Sequence, residues 1–204
     1  EVNTDASGNI YVASCTKSND FRVKNAIQST KYGGQDGVVF SLNSNLTQLR
    51  WSTYLGGSGD DALYTIDVAS DGSYFLSGGT GSPDMDGTDG AYQSSHGGNC
   101  DGFISHFSSD GNSLIRTSYF GTASYDQILQ LDLDKQDNVF VVGHSKGNMP
   151  VKGSVYSNTN GKQFVSKFNR ELDALEYSTV YGSGSAIPDI TINAFLVDEC
   201  GKIY

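Results

Sequence analysis

The stretch Asp5-Ala-Ser-Gly-Asn-Ile-Tyr-Val-Ala-Ser14 reads as a tight turn running into a short apolar strand, and it decides the fold because it comes back. It returns as Ser70-Asp-Gly-Ser-Tyr-Phe-Leu-Ser-Gly78, as Gln136-Asp-Asn-Val-Phe-Val-Val-Gly143 and as Cys200-Gly-Lys-Ile-Tyr204. The turn positions Gly8, Gly72, Asp137 and Gly201 stand 64, 65 and 64 residues apart. A fixed period of this length marks a repeat architecture. It divides the chain of 204 residues into units 5–68, 69–133 and 134–197, with 198–204 opening a fourth.

Each unit carries four strand signals, short runs of Val, Ile, Tyr and Phe bounded by Gly, Asn, Asp or Ser. They fall at 9–15, 37–42, 48–55 and 61–68 in the first unit, at 73–79, 102–107, 113–120 and 127–133 in the second, and at 138–144, 163–168, 174–181 and 189–197 in the third. No stretch sustains a helical period over three turns, so almost no helix is expected. Asp36-Gly-Val-Val-Phe answers Asp101-Gly-Phe-Ile-Ser and Lys162-Gln-Phe-Val-Ser, while Trp51-Ser-Thr-Tyr-Leu-Gly56 answers Arg116-Thr-Ser-Tyr-Phe-Gly121 and Tyr177-Ser-Thr-Val-Tyr-Gly182. Both markers shift by 65 and then by 61, so the third unit is shortened in the loop after its first strand. The runs Ile10–Ala13 and Val139–Val142 are apolar on both faces, which implies sheets buried on both sides. Four antiparallel strands per unit, stacked face to face about an axis, is the β-propeller arrangement. The expected fold class is therefore all-β, with propeller blades. Three units are too few to close a ring, and the chain is expected to be a segment of a larger one.

Composition narrows the function classes. There are 13 Lys and Arg against 23 Asp and Glu, a formal net charge of −10. Nucleic acid and anionic membranes are neutralised by Lys and Arg, so neither is an expected partner. No apolar run reaches the roughly 20 residues of a membrane helix. Cys15, Cys100 and Cys200 are widely spaced, with no C-x-x-C pair that would indicate a zinc or redox motif, and their pairing is open.

Three motifs carry a family resemblance. They are D-x-x-G-N-[IV]-Y-V at Asp5–Val12, G-G-x-D-[GA]-[FV]-V at Gly33–Val39, and W-S-T-Y-L-G-G-x-G-D-D at Trp51–Asp61. Together they resemble the SBBP repeat, a bacterial β-propeller repeat, over essentially the whole chain. The second unit also fits through Asp89-Gly-Ala-Tyr-Gln93, and the third is degraded, with Asp137 in place of the turn glycine. The resemblance implies a secreted or cell-surface location in a large Bacteroidetes-type protein. It also implies cargo of type IX secretion linked with adhesion or gliding motility. The function it implies is non-catalytic binding or scaffolding. Partners would be further blades of the same chain, a surface protein or glycan, or secretion machinery. The alternatives are a carbohydrate-active propeller enzyme and a calcium-stabilised adhesion module.

Candidate chemistry is sparse, and no enzyme activity is expected. Asp5, Asp134 and Asp198 stand three residues ahead of the turns at Gly8, Asp137 and Gly201, where an Asp brace on the turn backbone is the expected role. Ala69 takes that place ahead of Gly72. Asp84, Asp86 and Asp89 are weak calcium candidates, since the Gly comes early and no closing Glu follows; otherwise no cofactor is expected. His96, His106 and His144 share no ligand spacing. No G-x-S-x-G elbow marks a nucleophile. The loops 17–35, 81–100 and 146–161 are the expected binding surface.

Overall fold

The computed structural model describes residues 1–185, 187–188, 190–198 and 201–204. Among the described residues, twelve strands form three four-stranded sheets, each a simple antiparallel meander. The first sheet holds β1 (Val2–Thr4), β2 (Ile10–Thr16), β3 (Asp36–Leu42) and β4 (Leu49–Leu55). The second holds β5 (Asp61–Val68), β6 (Tyr74–Thr80), β7 (Asp101–Phe107) and β8 (Leu114–Phe120). The third holds β9 (Asp126–Leu133), β10 (Val139–Ser145), β11 (Gln163–Phe168) and β12 (Leu175–Tyr181). Among the described residues there is no helix.

Local chemistry explains the meanders. Gly8, Gly72 and Asp137 adopt left-handed φ of 74°, 81° and 61° in the turns that lead into β2, β6 and β10. Between the third and fourth strands of each sheet, a second left-handed residue closes the turn: Leu46, Gly111 and Leu172. One bulge recurs at the same place in each sheet, at Ser41/Leu42, His106/Phe107 and Lys167/Phe168.

The sheets pack face to face. One core lies between the first and second and includes Tyr11, Val39, Trp51, Ile66, Tyr74, Leu76, Phe103 and Tyr119. Another lies between the second and third and includes Phe75, Ile104, Phe120, Ile128, Val141, Phe164 and Phe168. The middle sheet is thus apolar on both faces: Tyr74 and Leu76 point one way and Phe75 the other, and every residue of β6 and β7 is buried. Each fully buried Phe contributes roughly 1.5–3 kcal/mol in surface removed from water.

The outer edges of the sheets are capped. The chain ahead of β3 runs along β4 through Lys24 and Gln28, which bridge Ser52 and Tyr54. Gly87 and Gln93 accept hydrogen bonds from Thr117 and Tyr119 of β8, and Lys152 bridges Ser178 of β12. Much of the loops 17–35, 81–100 and 146–161 is therefore committed to covering edges that would otherwise pair with another chain.

The structure corrects the propeller expectation. The described chain forms three separate open sheets, and neither a closed ring nor a closed barrel is present. Closure needs about four or more such sheets. The unit boundaries also differ from the sheet boundaries. Residues 61–68 close the first sequence unit but open the second sheet, and 127–133 stand likewise to the third. The short β1, which the sequence pattern does not mark, opens the first. The strand expected at 189–197 is not formed at 190–197, where Val197 makes a single bridge to Ile203; Asp189 lies outside the described residues.

Candidate functional site

A polar cavity of about 300 Å³ opens where β5 and β6 meet the chain leading into β7 and β9. Its walls include Gln35, Asp60, Tyr64, Cys100, Tyr125 and Gln127, with exposed Asn99 at its rim. Two features of the middle sheet create it. First, the pairing of β5 with β6 skips a residue between Leu63 and Thr65, so Tyr64 is bulged out of the ladder and aimed into the cavity. Gly78 permits the bulge, since a Cβ there would sit 1.8 Å from the Ala62 carbonyl oxygen. Second, Gly79 keeps the floor open: a Cβ would come within 3.1 Å of Gln127 Nε2 and 3.5 Å of Cys100 Sγ. The corresponding positions of the first and third sheets carry Cys15 and His144.

The lining is hydrogen-bonding but mostly uncharged. Gln127 Nε2 donates to Tyr64 Oη at 2.7 Å. Burial pushes the Tyr64 phenol up to about 12 and the Cys100 thiol up to about 11, the latter helped by Asp101 and Asp126. Burial also raises Tyr125, whose ring carries Lys146 Nζ 5.3 Å from its centroid. At neutral pH the phenols and the thiol keep their protons, so the thiol is a poor nucleophile. The buried Asp61 carboxylate is occupied by Gly57 N and Ser82 Oγ, each at 2.8 Å, and by Thr80 Oγ1. Asp60 Oδ1 accepts Gln35 N at 3.0 Å.

Other carboxylates act as structure. Asp36 accepts Gln28 Nε2, Tyr32 N and Gly33 N, fastening the loop ahead of β3. Asp101 does the same one sheet later through Gly97 N and Gln93 Nε2. Asp5 Oδ1 accepts Ser7 N and Asn9 N, and Asp134 Oδ1 accepts Gln136 N and Asn138 N. Asp198 Oδ1 accepts Lys202 N, beside Gly201 with φ of 73°. Asp84 Oδ1 takes Ser58 N and Oγ, while Met85 turns into the core beside it. Among the described residues no group of three His, Cys, Asp or Glu could hold a metal ion, so Asp84, Asp86 and Asp89 are not gathered into a calcium site.

A Ser–His–Asp grouping does occur. Ser73 Oγ lies 2.9 Å from His106 Nε2 and donates to Asp71 Oδ1 at 2.6 Å. Because Asp71 takes the serine proton, His106 must donate to Ser73 and cannot act as its base. In a catalytic triad the carboxylate holds the far nitrogen of the imidazole, not the nucleophile. Burial, then Arg170, pushes His106 down to about 4, keeping it neutral against the Phe75 ring. Arg170 binds Asp71, Ser73 and Asp137 together, and Ser70 donates its N–H and hydroxyl to Asp137 at 2.9 and 2.7 Å. Asp137, read from sequence as repeat decay, is the clasp between the turns of the second and third sheets. Cys15 and Cys100 are unpaired, and Cys200 lies outside the described residues.

Comparison with known proteins adds no family. No protein-family model matches the chain, and no curated protein matches it. The SBBP assignment is therefore corrected together with the ring it requires. The functions that depended on it fall with it: propeller scaffolding, type IX cargo, adhesion or gliding motility, and a propeller enzyme. Among the described residues the calcium-stabilised module lacks its ligand set.

Proposed function

We propose that the chain binds a small neutral, hydroxyl-rich ligand, such as a sugar unit of a glycan met outside the cell, in the Tyr64–Tyr125 cavity, without acting on it. One observation carries the reading: Gly79, which stands where the other two sheets carry Cys15 and His144, leaves open a cavity into which Tyr64, Tyr125 and the amides of Gln35 and Gln127 are gathered. Amides and phenols match alternating donors and acceptors of sugar hydroxyls, and the rings offer apolar platforms. Acidic Asp60 on the wall disfavours anions. The thiol and phenols hold their protons too tightly for acid–base work near neutral pH.

The test is a panel of neutral saccharides titrated by NMR, read on residues around Tyr64 and Tyr125. Saturable shifts are expected there, lost in Tyr125→Ala and in Gly79→Val, which fills the floor. Binding that survives both substitutions, or no neutral saccharide producing shifts, overturns the proposal.

A further inference from the structure

The inner strands β1, β5 and β9 belong to different sheets, yet one position in each reaches across to its neighbour. Asn3, Asp67 and Asp132 stand at equivalent places, opposite Tyr11, Phe75 and Phe140. Asn3 Nδ2 donates to Asp67 Oδ1 at 2.8 Å and to Ile66 O at 3.3 Å. Leu133 N donates to Asp67 Oδ2 at 3.0 Å, and Val197 N to Asp132 Oδ2 at 2.6 Å. Side chains thus replace the backbone ladder that adjoining strand edges would otherwise form, which is how inward-facing charges keep edges from pairing.

Leu133 N is shared. It also donates to Asp132 Oδ1 at 2.9 Å, so the two carboxyl groups meet at one N–H. The remaining Asp67 oxygen is taken by Val68 N and Asn3 Nδ2. Among the described residues no Lys, Arg or His forms an ion pair with Asp67 or Asp132. Glu1, ahead of β1, adds a further carboxylate on Ile66 N; β6 places Phe75 opposite; β2 and β3 meet β5 through Tyr11 and Val39. Two carboxylates this close in a half-buried seam repel when both are ionised, and one shared proton removes the repulsion.

We propose that the Asp67–Asp132 pair is a pH-dependent fastener between the second and third sheets, tightened when the pair takes up one proton from solvent and loosened as the dianion. Burial, then Asp132, raises Asp67 to about 7. The folded protein therefore holds this proton more tightly than the unfolded chain, where an aspartate titrates near 3.9. Through this pair, stability rises as the pH falls through about 7 and levels off near 4. Salt-bridged carboxylates behave in the opposite sense, and only at lower pH.

The experiment is thermal unfolding of the intact chain from pH 8 to pH 5, beside Asp67→Asn and Asp132→Asn. The wild type is expected to gain several degrees on acidification, and Asp67→Asn to start higher at pH 8 and lose most of that gain. A wild-type midpoint that stays flat or falls over this range, or an Asp67→Asn profile parallel to the wild type, overturns the proposal. A carboxyl ¹³C NMR titration of the wild type gives an answer independent of variant folding. Titration of the pair near 7 supports the fastener, and both carboxyls titrating below 5 refutes it.

Discussion

Restoring the repeat glycine at position 137 is a sharp test of the clasp between the second and third sheets. Sequence logic favours Asp137→Gly, since Gly8, Gly72 and Gly201 hold the same turn and φ is 61° at Asp137. Relief of a left-handed non-glycine residue is worth about 1 kcal/mol or somewhat more. The contacts argue the other way. Asp137 is 5 % exposed and receives Ser70 N at 2.9 Å, Ser70 Oγ at 2.7 Å and Arg170 Nη1 at 2.9 Å. Hydrogen bonds to a charged acceptor are worth roughly 1.5–3 kcal/mol each, so the two from Ser70 amount to about 3 kcal/mol at the low end. The Arg170 pair adds about 1 kcal/mol, because the guanidinium is partly exposed and solvent screens it. The expected net loss is about 3 kcal/mol, or a fall in Tm of roughly 6–12 °C for a domain of this size. Urea unfolding of Asp137→Gly, Arg170→Ala and the double variant measures it. The double variant should be less destabilised than the sum of the two single variants, because they share an interaction. Equal or greater stability of Asp137→Gly would refute the reasoning, and strict additivity would remove Arg170 from the clasp.

Three further outcomes are expected. Leu46 is 63 % exposed with φ of 61°, so Leu46→Gly should stabilise by about 1 kcal/mol in chemical denaturation, having strain to relieve and little burial to lose. Gly78→Ala forces a Cβ to within 1.8 Å of a backbone oxygen; it should destabilise by more than about 2 kcal/mol and shift the NMR signals of Tyr64, whose bulge it disrupts. Asp71 is opposed by partial burial but held down to about 2 by Ser73 and Arg170. Its contribution is present above pH 4 and lost as the pH falls toward 2, so Asp71→Asn should flatten acid unfolding in that window.

Much of the fold was legible because it rests on local chemistry. The apolar runs Ile10–Ala13 and Val139–Val142 do form strands, but in the outer sheets, where only Tyr11 and Ala13, and Val139 and Val141, pack into the cores between sheets; burial between two sheets is met by β6 and β7 of the middle sheet. The period places the turns, since a left-handed residue must recur wherever the same turn recurs. Sheet boundaries were not legible. A period reports spacing alone, and residues 61–68 fit equally well as the last strand of one unit or the first of the next. Val2–Thr4 is too short to register. That the long loops also cap sheet edges was not legible, because the capping runs through backbone atoms of Lys24, Gln28 and Lys152, which leave no mark in side-chain pattern. The propeller assignment failed for a different reason. It depends on the number of sheets and the angle between them, and no residue encodes either.

The site was hidden for a related reason: its residues matter where they depart from the repeat. Gly79 stands where the other sheets carry Cys15 and His144, and the missing side chain is the floor of the cavity. Asp137 stands where the second sheet carries Gly72. Between the second and third sheets its carboxylate fastens the adjoining turns. Between the first and second sheets Gly72 has no side chain to span the gap, and a cleft of about 400 Å³ stays open beside Asp5, Ser7 and Ser70. Asp67 looks like any polar residue on a solvated strand until the neighbouring strand supplies Leu133 N and Asp132. Positions shared by the units build three similar sheets. The positions that differ decide how each sheet meets the next, and both the cavity and the proton-dependent seam lie at those meetings.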